Sequence, residues 1–117
     1  MNANELRIGN LIWDCEQKEI DKITGIEECR VSIDGSLFPY TPIDSIVGIE
    51  LTEEWLLKLG FNNLDIDISY CKDDFSCIEA NSGYLFWHKG HSLLIIKYVH
   101  QLQNLYFALT GEELTII

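Results

Sequence analysis

Two dipeptides constrain the folding of this chain more than any other feature. Asp34-Gly35 lies between the apolar stretches CRVSI and SLFPY, and Lys89-Gly90 lies between YLFWH and SLLIIKY. Two turn residues ending in glycine, set between apolar alternations, close antiparallel hairpins, because glycine takes the left-handed backbone that a tight turn demands. In the second hairpin His88 and His91 then sit opposite each other across the turn. Pro39 and Pro42 end the first hairpin, since proline donates no hydrogen bond to a ladder.

Further strands read from the same periodicity. LIWD, IDKITGI and IDSIVGIEL fill the rest of the first fifty residues. LDIDISYC alternates, with Leu64, Ile66, Ile68 and Tyr70 on one face and Asp65, Asp67 and Ser69 on the other. A turn at Lys72 to Asp74 leads into FSCIEA. One helix is expected over about 52–60. Thr52 caps it, Glu53 and Glu54 occupy the first turn where the macrodipole favours acids, and Trp55, Leu56 and Leu59 form the buried stripe. Gly60 fits the C-terminal cap and Phe61 folds back on that end. A second helix is expected over about 98–110, and Thr110-Gly-Glu-Glu113 offers a capping box for a last short turn.

The resulting order is antiparallel strands, a helix, more antiparallel strands and a second helix, which is an α+β class. The chain, residues 1–117, reads as a single domain with two sub-lobes. Residues 1–50 suit a small SH3-like barrel, and residues 51–117 hold the first helix, the hairpins and the C-terminal helix.

Charge narrows the function classes. The chain has 19 acidic and 8 basic side chains, a net charge of −11, and its basic residues are scattered. A phosphate-binding face needs a basic cluster, so direct nucleic-acid binding and attachment to an anionic membrane are not expected. The start, MNANELRIG, lacks a basic region followed by an apolar run, and no stretch is long enough to cross a bilayer. The expected compartment is the cytoplasm, where Cys15, Cys29, Cys71 and Cys77 are thiols.

Candidate chemistry is sparse. His88 and His91 are the candidate metal ligands, but zinc would need further ligands, and Cys71 and Cys77 do not have the two-residue spacing of a structural zinc pair. The histidines read as solvated at a hairpin tip. Cys71 and Cys77 lie on two arms of a hairpin, on the same or on opposite faces according to register. Asp73 and Asp74 beside them disfavour a thiolate, so both read as small core residues. The carboxylate pairs Asp65 with Asp67, Asp73 with Asp74, Glu27 with Glu28 and Glu112 with Glu113 read as wet strand faces, turns and helix ends. No phosphate-binding glycine loop or nucleophile elbow appears. Neither a catalytic residue nor a cofactor is expected.

The second helix raises a sharper question. KYVHQLQNLYFALTG carries no formal charge between its lysine and its glycine. At 100° per residue Tyr98, Val99, Leu102, Leu105, Tyr106 and Leu109 fall within an arc of about 120°, a core-facing stripe. His100, Gln103, Asn104 and Phe107 share the far side. A solvated face would carry Lys and Glu, whereas amides beside an aromatic resemble an interface. That face is expected to be covered either by this chain or by a partner or second copy, with Phe107 as the anchor of the contact patch.

KYVHQLQNLYFALTGEEL, together with LRIGNLI and IELTEEWLLKLGF, resembles a family of small uncharacterised proteins from gut Bacteroidetes and their phages and mobile elements. The resemblance spans most of the chain but not residues 62–83. It implies a bacterial or phage-derived cytoplasmic protein and brings no activity. The expected function is a non-enzymatic protein-interaction module, partnered by another protein or by itself. The alternative is an acidic inhibitor that mimics nucleic-acid charge.

Overall fold

A computed structural model describes residues 3–34, 40–63 and 69–116. The expected turn after Asp34 and the face formed by Leu64, Ile66 and Ile68 lie outside the described residues. The chain divides into two compact units, one from 1–49 with 99–113 and one from 50–98 with 114–117. The C-terminal helix belongs with the first of these units, whereas the sequence grouped it with residues 51–117.

In the first unit, β1 (Leu11–Asp14), β2 (Glu19–Ile26), β3 (Arg30–Ile33), β4 (Thr41–Pro42) and β5 (Ile46–Val47) form one antiparallel sheet in the order β4-β3-β2-β1-β5. The last strand, β5, returns to pair with β1. However, β4 and β5 are two residues each and do not pair, so the sheet is not a closed barrel. IDSIVGIEL is not one strand. Ile43–Ser45 form a 3-10 turn and only Ile46 and Val47 join the ladder, opposite Asp14 and Trp13. Nor does Pro42 end the pairing. It sits opposite Arg30 in β4, at the sheet edge, where its missing N–H costs no ladder bond. Leu6, Ile12, Ile23, Val31, Ile33, Ile43 and Ile46 form the core of this unit. The long helix α2 (Val99–Thr110) adds Val99, Leu102 and Tyr106 to its buried residues.

The second unit opens with α1 (Glu53–Lys58). Thr52 Oγ1 accepts from Trp55 N at 3.3 Å, as a cap should. At the other end Gly60, with φ +94°, donates to Leu57 O, and Phe61 N donates to Leu56 O. This paired arrangement satisfies the last carbonyls and carries Phe61 back into the core, where it is buried. The strands β6 (Asn62–Asn63), β7 (Ser69–Lys72), β8 (Phe75–Ala80), β9 (Gly83–His88) and β10 (His91–Ile96) make an antiparallel meander in the order β10-β9-β8-β7-β6. Tyr70, Phe75, Cys77, Tyr84, Phe86 and Ile96 are buried with Trp55, Leu56 and Leu59. Lys89 and Gly90 both have positive φ, the geometry that a two-residue hairpin turn requires, and His88 pairs with His91 across it.

Candidate functional site

The uncharged face of α2 is held by the start of its own chain. Gln103 Oε1 accepts from the Leu11 amide at 2.9 Å, and Gln103 Nε2 donates to Gly9 O at 3.3 Å. Asn104 Oδ1 accepts from Asn10 Nδ2 at 2.8 Å and from Arg7 Nε at 3.2 Å. Asn104 Nδ2 donates to Glu5 O at 3.0 Å. Asn10 is fully buried, and its Oδ1 accepts from the Arg7 amide at 2.7 Å. Amides suit this position because each offers donors and an acceptor to backbone that no strand satisfies, without a charge to desolvate. The stretches LRIGN and HQLQN therefore meet in one network centred on the buried Asn10 and Gln103.

This corrects the expected contact patch. His100 and Gln103 are 2% and 1% exposed, so neither presents a surface to a partner. Relative to the apolar stripe, the buried side of α2 is rotated by roughly 70° toward the amides, while Tyr98 and Leu109 of that stripe are exposed. Burial pushes the His100 imidazole below its usual pKa, against an opposing pull from Glu5. Phe107 remains 38% exposed, with the Arg7 guanidinium 4.2 Å from its ring centre. Arg7 also engages both carboxylate oxygens of Glu113. Glu113 thus serves Arg7 instead of the expected capping box, while Thr110 Oγ1 accepts from Glu112 N at 3.0 Å and donates to Tyr106 O at 2.8 Å.

The other candidates, His88, His91, Cys71 and Cys77, lie in the second unit. The His88 ring stacks on Phe75 at 4.5 Å between centroids. Among the described residues no three His, Cys, Asp or Glu side chains converge to hold a metal ion. Register places Cys77 opposite Tyr70 and Cys71 opposite Ser76, so the two cysteines point to opposite faces. Burial pushes the Cys77 thiol up to about 12, and Cys71 Sγ lies 3.2 Å from Ser76 Oγ.

A cleft of about 630 Å³ opens in the second unit, lined by Glu50, Glu53, Glu79, Tyr84, Lys97 and Tyr98 among others. Burial, with the neighbouring acids Glu79 and Glu53, raises the Tyr84 pKa. Burial, then a hydrogen bond with Glu53, takes Tyr70 up to about 12. Both phenols stay protonated at neutral pH.

The sheet edges distinguish one further feature. In described residues β4, β5 and β6 are each two residues long, and β6 is an exposed Asn pair. Short polar ends are one way in which folds blunt an edge. The fourth edge, β10, is six residues long, and Leu93, Leu94 and Ile95 are 44%, 47% and 46% exposed. A register shift between Ser92 and Leu94 marks a bulge, but no charge lies between His91 and Ile96. Indeed the chain carries no carboxylate side chain between Glu79 and Glu112. Hairpin periodicity predicted this strand; it contained no signal that its outer side would be open.

No family model matches the chain, and neither a curated protein nor a solved structure matches it.

Proposed function

We propose that this protein is a non-enzymatic protein-interaction module, of bacterial or phage origin by the resemblance given above, that takes up a polypeptide strand along β10. One observation carries the reading: β10 is a six-residue edge strand whose three central aliphatic side chains stand in water. An edge strand presents unpaired N–H and C=O groups, and an added strand satisfies them while side-chain contacts select the partner. Burying the exposed aliphatics adds about 25 cal/mol for each Å² removed from water. The acidic surface elsewhere keeps the molecule soluble with this strand exposed.

The test compares wild type with Leu94→Lys as baits, after circular dichroism has shown that both are folded. Polypeptides retained by wild type and lost with Leu94→Lys support strand addition at β10. An identical retained set with both baits rules it out.

A further inference from the structure

We infer that the strand fitting β10 is the β10 of a second copy, paired antiparallel about a twofold axis near Leu94. This rests on the edge reading above and names its occupant.

Three observations converge on a second copy. The first is self-complementarity. Antiparallel pairing about a twofold axis lays Leu93, Leu94 and Ile95 against the same three residues of the partner copy, and an isologous contact requires such a patch. The second is charge. Two copies at −11 each repel over most of their surfaces, but β10 lies within the stretch free of carboxylates from Ala80 to Gly111. Antiparallel pairing also brings the Lys89 end of one strand to the Lys97 end of the other. There Glu50 bridges to Tyr98, and Glu79 lines the same cleft. A basic turn thus approaches Glu50, Glu53 and Glu79, which outnumber the one Lys97 in that cleft, and symmetry repeats the contact. The third is closure. A twofold pairing along β10 uses that edge in both copies at once, while the described part of the opposite edge, β6, is an exposed Asn pair.

The inferred interface is one six-residue ladder with its flanks, which belongs with small interfaces and a concentration-dependent dimer. The register about Leu94 pairs Ser92 with Ile96 at the ends and keeps the aliphatics at the centre, and it stops short of Lys97, whose carbonyl accepts from the Leu51 amide.

Sedimentation velocity over a concentration series tests this with wild type, Leu94→Lys and Lys89→Glu. Wild type should pass from monomer to dimer. Leu94→Lys, which sets two ammonium groups beside the axis, should weaken the dimer by about tenfold or more. Lys89→Glu should weaken it severalfold. If Leu94→Lys fails the circular dichroism check, Leu94→Thr keeps a strand-forming side chain and carries the same test. A wild type that stays monomeric throughout, or a dimer indifferent to the Leu94 variants, overturns the inference. If a monomeric wild type still retains another polypeptide that Leu94→Lys loses, the partner is foreign and strand addition stands. If it is monomeric and retains none, both readings fall.

Discussion

Asn10 Nδ2 donates to Asn104 Oδ1 at 2.8 Å, across 94 positions of sequence. Asn10 has no exposed surface, so its amide depends on that bond and on those with Arg7 and Gln103. Asn10→Ala should cost about 2 kcal/mol or more, because it strands the Arg7 amide and part of Asn104. Urea unfolding measures it, and a double-mutant cycle with Asn104→Ala should give a coupling of about 1 kcal/mol. A cost within error of zero would mean that water replaces the network without loss.

His100 gives a pH signature. Its folded pKa lies below the usual 6.5 because burial disfavours the imidazolium. Above pH 6.5 both folded and unfolded states are neutral there, and the group adds no pH slope. As pH falls below 6.5 the unfolded chain takes up the proton first, so stability falls until the folded pKa is also passed. His100→Gln should remove this component, and the difference between the two pH–stability curves isolates it from the carboxylates. Parallel curves would show that His100 titrates alike in both states.

Thiol labelling should resolve the four cysteines. Cys15 and Cys29 are exposed and should react first, with Cys71, half-buried, slower. Cys77 is buried with its pKa near 12, so it should label only at the rate of opening. Mass spectrometry of peptides after timed alkylation assigns the order, and early Cys77 labelling would contradict the β7–β8 register.

Gly83 sits in a tight place. With φ +148°, a Cβ there would stand 2.3 Å from the Ile96 carbonyl oxygen. Gly83→Ala should destabilise by about 2 kcal/mol or more and speed amide exchange along β9 and β10. Unchanged exchange in both strands would show that the close approach relaxes freely.

Phe107→Glu removes the ring under Arg7. The expected loss is about 1 kcal/mol or less, read as a small fall in Tm, with the association state unchanged because β10 is untouched. A variant that loses association instead would return the contact patch to α2.

Much of the secondary structure was legible in local pattern. The tight turn at Lys89-Gly90, the cap at Thr52 and the glycine closure at Gly60 are set by neighbours within a few residues, and they stand where the sequence put them. What failed was what depends on distance. IDSIVGIEL has strand composition throughout, yet it breaks into a 3-10 turn, the pair Ile46–Val47 beside β1 and a single bridge from Glu50 to Tyr98. The helical wheel located the stripe of α2 and left open whether this chain or a partner covers the amides opposite it. Their true partners, Gly9, Asn10 and Leu11, are more than ninety positions away, and no periodicity reports them. The lack of charge along HQLQN was the available signal, and it identified a covered face without saying what covered it. Likewise alternation predicted β10 but not its edge position, which follows from the order in which strands assemble.

The return of α2 to the first unit also sets an order of events during synthesis. The opening sheet leaves the ribosome with Asn10 and the Leu11 amide unsatisfied, and stays so until Gln103 and Asn104 emerge. The meander from β6 to β10 is encoded without interruption between those two moments. It can therefore close first, so of the two units the one whose synthesis begins earlier is completed later.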